Sequence, residues 1–399
     1  MVVSIFSEVD VALKSGKYQL ALNMLHELSK DNLDNPQFLY RYGVIEERYG
    51  DLNRAGYLYL RLIKASPNVA LPYLYSAYVF ERLGQRDLAA ILYSLADDID
   101  GRALRLKVTD RVSEEVVLRS SSGKRFLSSY FRQQHQELTA NFPKTMSDAC
   151  WVQLWDKPIP FKDPLQKPHL FYLPHLAPKP VYDLSVETWA RELCDGSHDI
   201  AGELQAYLQG ERSNVEPYLD QNYISQPNFK DLAGSKNWGA IHLYQDGKLN
   251  EETAKYFKNT LKYLESAPLY GLDDSPFEVF FSLLKAGQSI PSHYGLSNHS
   301  LTVHLPLVNT DSAYLEVANK KYYWRQGELL AFDDSFVHAA NNHGKEERIV
   351  LIFSIWNPSL ESAETEAIQQ IFSQRKVWLE QRYHSIEQAL KNYNKGEVE

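Results

Sequence analysis

The sequence predicts a multidomain α plus β chain, an array of helical hairpins followed by a closed jelly-roll barrel with flanking helices. Three observations carry this reading. Small residues recur at a 34-residue interval over about the first hundred positions. The hydrophobic period changes from helical to alternating near residue 275. Six short alternating segments separated by turn residues then follow within about 80 residues.

The repeats come first. Gly16, Gly50 and Gly84 are 34 apart, as are Ala21, Ala55 and Ala89; Gly43 and Ala77 share that interval, and so do Glu47-Arg48 and Glu81-Arg82. Small residues at fixed positions allow two helices to cross closely, with aromatics filling the space beside them. One unit supplies Gly43, Ala55, Tyr59 and Pro67, and the next Ala77, Ala89 and Tyr93. This pattern resembles the tetratricopeptide repeat over residues 1–100, with Val9 at the small-residue position of the first unit. Such arrays present grooves to peptides or proteins. A purely structural array is the alternative, in which most of Tyr40, Tyr42, Tyr49, Tyr57, Tyr59, Tyr73, Tyr75 and Tyr78 are core or groove wall.

Val108, Val112, Val116 and Val117 are spaced as on a helix from residue 101, and Ser120-Ser121-Ser122-Gly123-Lys124 should break it before a second helix at Arg125–Leu138. Eight prolines between 142 and 182 predict an irregular connector on the surface of the next domain. Helices are expected at about 186–194 and 198–218. The domain boundaries that follow are 1–140 for the repeats with trailing helices, 141–182 for the connector, 183–360 for the barrel, and 361–399 for a C-terminal helix and tail. That last helix carries Ile368, Ile371, Phe372 and Trp378.

Composition narrows the function classes. The 42 basic and 51 acidic residues give a net charge of −9, against a general nucleic-acid binder. Cys150 and Cys194 alone build neither a disulfide framework nor a zinc ribbon. No stretch approaches the length of a membrane span, and residues 1–8 lack a basic n-region, so the expectation is a cytoplasmic chain.

The expected strands are Phe277–Leu284, Leu301–Leu307, Ala313–Val317, Lys321–Trp324, Glu328–Phe332 and Arg348–Trp356, with an earlier one at Trp238–Leu243. Asn319-Lys320 and Gln326-Gly327 are the expected turns. Alternation puts Ser300, Thr302 and His304 on one face and Leu301, Val303 and Leu305 on the other. Arg348, Val350, Ile352 and Ser354 share a face in the same way. A barrel with His304 and Arg348 inside has a polar pocket. His293 and His338 lie 45 residues apart, and Arg348 follows the second by 10. Imidazole is a common iron ligand, and a guanidinium fork suits a carboxylate.

The motifs resemble those of the aspartyl/asparaginyl β-hydroxylases, Fe(II)- and 2-oxoglutarate-dependent oxygenases with a double-stranded β-helix. The resemblance runs over roughly 165–360. It rests on Phe281-Ser282-Leu283-Leu284-Lys285-Ala286-Gly287, Pro291-Ser292-His293-Tyr294-Gly295, His304-Leu305-Pro306-Leu307, Trp324-Arg325-Gln326-Gly327-Glu328, Phe332-Asp333-Asp334-Ser335-Phe336-Val337-His338 and Trp356-Asn357-Pro358. Phe171-Tyr172-Leu173-Pro174 resembles the family's lead-in segment.

The resemblance implies that His293 and His338 ligate iron, with Gly295 where most such oxygenases carry a carboxylate, so that water takes that position. It implies Arg348 and Ser282 on the distal carboxylate of 2-oxoglutarate, His304 and Thr302 near its other end, and Asp334 as a catalytic, site-lining acid. Trp238 and Ser300 fall on the substrate side. O2 is the oxidant, and succinate and CO2 the coproducts. The implied reaction is hydroxylation at the β-carbon of an Asp or Asn residue in a peptide or protein presented by the repeats. One departure stands out. The family's Arg-x-Arg-x-His strand here reads Ser300-Leu301-Thr302-Val303-His304, without either arginine. The other assignments are an interaction protein with a relic barrel, against which the intact His293, His338 and Arg348 speak, and a cupin-type metalloenzyme working without 2-oxoglutarate.

Overall fold

In the computed structural model, which describes residues 6–155, 158–211, 213–221, 227–272 and 275–396, the chain divides into two compact units. One runs to Glu137 and includes the chain from Gln374 onward; the other is Leu138–Ser373.

The first unit holds three helical hairpins: α1 (Ser7–Lys14) with α2 (Tyr18–Asn32), α3 (Pro36–Tyr49) with α4 (Leu52–Ala65), and α5 (Ala70–Arg82) with α6 (Arg86–Ile99). Local chemistry sets their starts. Asn35 accepts from the amides of Gln37 and Phe38 with Pro36 in the first turn, and Asp51 accepts from Asn53 N. The repeating small residues do what the 34-residue period implies. Ala55, Ala77 and Ala89 are fully buried, and a Cβ on Gly43 would lie 2.5 Å from the Tyr59 ring.

Helix α7 (Glu114–Thr139) corrects the sequence reading twice. Residues 101–113 are not helical, and Val112 instead bridges Thr109. The Ser120–Lys124 stretch does not interrupt the helix. Two of its serines bond outward: Ser120 Oγ accepts from Leu106 N at 3.1 Å, and Ser122 Oγ donates to Glu81 Oε1 at 3.1 Å, while Ser121 Oγ donates to Leu118 O of the helix itself. Gly123 is required by packing, since a Cβ there would stand 2.5 Å from the Tyr93 ring. Tertiary contacts thus override weak propensity.

Within this unit, α7 covers the face made by α3 and α5. Arg119 Nη2 reaches both Glu47 oxygens at 2.8 Å, with its guanidinium 4.3 Å from the Tyr75 ring and 4.8 Å from that of Tyr78. The surface expected to serve as a peptide groove is therefore occupied there by the chain itself. The C-terminal helix α10 (Ser362–Gly396) adds Tyr393 against Tyr57 and Phe80, and Arg382 donating to Ser94 at 2.7 Å.

The second unit is a double-stranded β-helix. Its strands are β1 (Val181–Tyr182), β2 (Trp238–Gln245), β3 (Val279–Leu284), β4 (Ser289–His293), β5 (Ser300–Val308), β6 (Ala313–Val317), β7 (Lys320–Tyr323), β8 (Leu330–Phe332), β9 (His338–Asn342) and β10 (Arg348–Trp356). The larger sheet is ordered β1-β8-β5-β10-β3-β2 and continues to a short edge at Glu216–Pro217; the smaller is β4-β9-β6-β7. Every pairing within them is antiparallel. The turn into β7 uses Ala318 and Asn319, both at positive φ.

Leu301, Val303, Leu305 and Leu307 of β5 pack on helices α8 (Thr188–Asp195) and α9 (Ser197–Gln209), leaving Thr302 and His304 for the interior. Helix α9 stops at Gly210, short of the expected 218. The proline-rich segment is no surface connector throughout. Phe171, Tyr172 and Leu173 are fully buried, the Asn298 amide brackets the Leu173 backbone at 2.8 and 3.0 Å, and β1 joins the larger sheet. Helix there is limited to single turns at Lys144–Ser147 and Val152–Leu154, but the apolar residues between the prolines still bury. Among the described residues no helix is long and apolar enough to cross a membrane.

His299 sits in an aromatic box of Tyr270, Phe372, Phe171 and Trp356, 1% exposed and with Nδ1 unpartnered. Burial pushes its pKa down to about 3. A histidine depressed in the fold binds its proton preferentially when unfolded, so its burial costs stability as pH falls below the unfolded value near 6.5. His299→Phe should therefore gain stability over wild type as pH drops, by about 2 kcal/mol at about pH 5. Melting curves across pH check this; a gap independent of pH would contradict it.

Candidate active site

Strands β4 and β9 are neighbours, and their register places His293 directly opposite His338. The two rings stand 4.1 Å apart, centroid to centroid. A register shift between Ile290 and His293, at a proline that has no N–H to give the ladder, turns His293 inward. Each Nδ1 lies against a carbonyl two residues back: His293 to Pro291 at 2.8 Å, His338 to Phe336 at 2.9 Å. A carbonyl only accepts, so both Nδ1 atoms carry the proton and both Nε2 atoms keep their lone pair. Burial, and for His338 also the charge of His293, pushes both pKa values down, His338 to about 3. Two neutral, oriented imidazoles suit a divalent metal.

Among the described residues no three His, Cys, Asp or Glu side chains converge to ligate a metal. Gly295 shows what takes the place of a third ligand on its own strand. A Cβ built there would fall 2.1 Å from Asp334 Oδ1, so the Asp334 carboxylate fills the volume that a side chain at 295 would need. Asp334 accepts from Thr302 Oγ1 at 3.1 Å. Burial pushes its pKa up to about 7, with Glu278 adding to the rise.

Both histidines face a cavity of about 150 Å³, also lined by Trp238, Glu278, Thr302, His304, Asp334 and Arg348. Arg348 is the largest fully buried side chain among the described residues. Its Nη1 donates to Ser282 O and Ser282 Oγ, both at 3.2 Å, and its plane lies 4.9 Å from the Trp324 ring. No carboxylate pairs with it among the described residues, and its Nε has no partner. Burial pushes its pKa down to about 9, which still leaves a cation at neutral pH. His304 stands between Arg348 and His338, with its Nδ1 unpartnered and its pKa held far down by burial and by those two neighbours. A larger cleft of about 710 Å³ opens on the repeat unit, lined by Asp51, Arg54, Asp87 and Tyr393.

Seven of the residues singled out in the sequence meet at this cavity: His293, His338, Asp334, Arg348, His304, Thr302 and Trp238. Two do not. Ser282 lies behind it, accepting from Trp238 Nε1 at 3.1 Å and from Arg348, so it positions the guanidinium instead of facing a ligand. Ser300 opens β5 opposite Trp356 and does not line the cavity, because the strand end carries it past the mouth. Glu278 and Trp324 escaped the sequence reading. Residues 278, 280 and 282 share a strand face, so alternation counted back from Ser282 could have found Glu278.

The fold and this cavity define a jelly-roll barrel with a two-histidine, one-arginine site. Its residues 195–358 match the family model described as Aspartyl/Asparaginyl beta-hydroxylase, and residues 6–70 match a Tetratricopeptide repeat model. Similar proteins include "Aspartate beta-hydroxylase domain-containing protein 2" of Xenopus tropicalis, 27% identical over 52% of this chain and 55% of its own length. "Ornithine lipid ester-linked acyl 2-hydroxylase" of Rhizobium tropici is 27% identical over 53% of this chain and 77% of its own. Human "Aspartyl/asparaginyl beta-hydroxylase" is 28% identical over 36% of this chain and 19% of its own. The alignment thus spans about half the length of the Xenopus relative.

Proposed function

We propose that the barrel is an Fe(II)- and 2-oxoglutarate-dependent hydroxylase. One observation carries this reading: a fully buried guanidinium with no anionic partner, in the same cavity as two carbonyl-anchored histidines. A buried unpaired charge costs several kcal/mol unless a ligand neutralises it. A dicarboxylate that also reaches the histidines meets that need. His293 and His338 would hold the metal, which supplies O2 activation when bound. Arg348, fixed by Ser282 and stacked on Trp324, would grip the distal carboxylate, and His304 would donate to the ligand through Nδ1. Asp334, held by Thr302, would accept a hydrogen bond from water in the cavity. The balance is 2-oxoglutarate, O2 and R–H giving succinate, CO2 and R–OH.

The relatives' names suggest substrates as different as an aspartyl residue and a lipid acyl chain. For this chain we propose a C–H bond of a peptide or protein, with the tetratricopeptide-like unit as the interaction module through a surface other than the α3–α5 face that α7 covers. Purified protein with Fe(II) should convert 2-oxoglutarate to succinate, measured by mass spectrometry. If it binds no 2-oxoglutarate anaerobically with Fe(II), the reading fails.

A further inference from the structure

The cavity holds more acid than this chemistry uses. Glu278, one residue ahead of β3, lines it together with Tyr218 and Phe280, and its charge is felt at Asp334. No lysine or arginine pairs with Glu278 among the described residues. The basic group beside it is His242, with Nδ1 at 3.9 Å, and burial disfavours that ring's charged form. Arg348 is the only lysine or arginine lining the cavity among the described residues. Ser300, which is outside the cavity, and Thr302, which donates to Asp334, bring no positive charge to it.

Glu278 stands beside an aromatic wall. Trp238 stacks on Tyr218 at 4.2 Å, Tyr218 on Phe280 at 5.0 Å, and Phe280 on His242 at 5.3 Å. Three of these rings line the cavity. A carboxylate next to aromatic π-systems attracts organic cations through charge and quadrupole together. An acidic group entering the same space would meet Glu278 and Asp334, whose carboxyls burial pushes up to about 7 and which carry negative charge above it, with no cation left over, since Arg348 would grip the cosubstrate. Like charges in a partly desolvated cavity exclude one another. The unpartnered His304 Nδ1 and Arg348 Nε independently mark the cavity as built for a ligand.

Resting on the function proposed above, we infer that the substrate group entering this cavity is a cation, an amine or guanidinium, held by Glu278 against the Tyr218–Phe280 wall. Glu278 is then the residue that sets specificity, and the reacting C–H belongs to a basic side chain or a free basic amino acid.

Calorimetry on the full chain with Mn(II) in place of iron tests this. 2-Oxoglutarate is titrated first, followed by Nα-acetyl-lysine methylamide, free lysine and Nα-acetyl-aspartate methylamide. At least one lysine probe should bind about tenfold or more tighter than the aspartate probe. Preference for the capped lysine assigns the cation to a peptide; preference for free lysine assigns it to an amino acid. Glu278→Gln, its folding checked by melting curve, should erase most of the discrimination. Equal or tighter aspartate binding, no binding of either lysine probe, or unchanged preference in Glu278→Gln overturns the inference. Absence of 2-oxoglutarate binding removes the hydroxylase reading as well. With 2-oxoglutarate bound, an aspartate preference removes only the cation assignment.

Discussion

His338→Ala should abolish succinate formation and lower metal affinity by more than about 100-fold, and His293→Ala should do the same. The barrel offers two imidazole nitrogens and no third protein ligand among the described residues, so losing either leaves a single donor. A site with three or four protein ligands can survive one deletion with weakened binding; this one has no reserve. Both rings are oriented by backbone carbonyls, His293 by Pro291 and His338 by Phe336. The metal-free variants should stay folded, since each ring makes no other hydrogen bond that the sheets need. Metal titration followed by calorimetry, with circular dichroism as the folding control, reads the result. Retention of wild-type metal affinity in either variant would exclude these histidines as the ligands.

How much of this was legible in the sequence varies by element, for physical reasons. The 34-residue period was plain because helix crossings at Gly43 and Ala55 admit only small side chains. The inward face of β5 and β10 was plain because alternation is fixed by the pleat. The strands carrying both histidines were not. Ser289–His293 and His338–Asn342 contain proline, alanine and asparagine, which have little strand preference, and they are strands because their partners pair with them. The continuity of α7 was hidden for a related reason: its serines and Gly123 look like a break until Glu81, Leu106 and Tyr93 are brought against them. Ser282 entered through the resemblance, and which side of Arg348 it occupies depends on Trp238, 44 residues away.

Arg348→Met provides the sharpest separation of function from stability. A buried guanidinium serving the fold would be paired, and removing it would cost about 3–5 kcal/mol. Arg348 is unpaired among the described residues: its polar contacts are the Ser282 carbonyl and hydroxyl, and its Nε is orphaned. Methionine has a similar reach and no charge to desolvate, so the metal-free variant should be as stable as wild type or more so. Binding of 2-oxoglutarate should fall by about 100-fold or more, the worth of a bidentate charge-assisted contact in a desolvated site. Arg348→Lys keeps the charge but loses the planar fork, and should fall between the two. A second signature comes from ligand linkage: 2-oxoglutarate at about 100 times its Kd should stabilise wild type by about 2.7 kcal/mol and leave Arg348→Met unmoved. Thermal melts with and without 2-oxoglutarate read both quantities in one experiment. Severe destabilisation of Arg348→Met with intact 2-oxoglutarate binding would make the guanidinium a structural group and remove the observation on which the proposed chemistry stands.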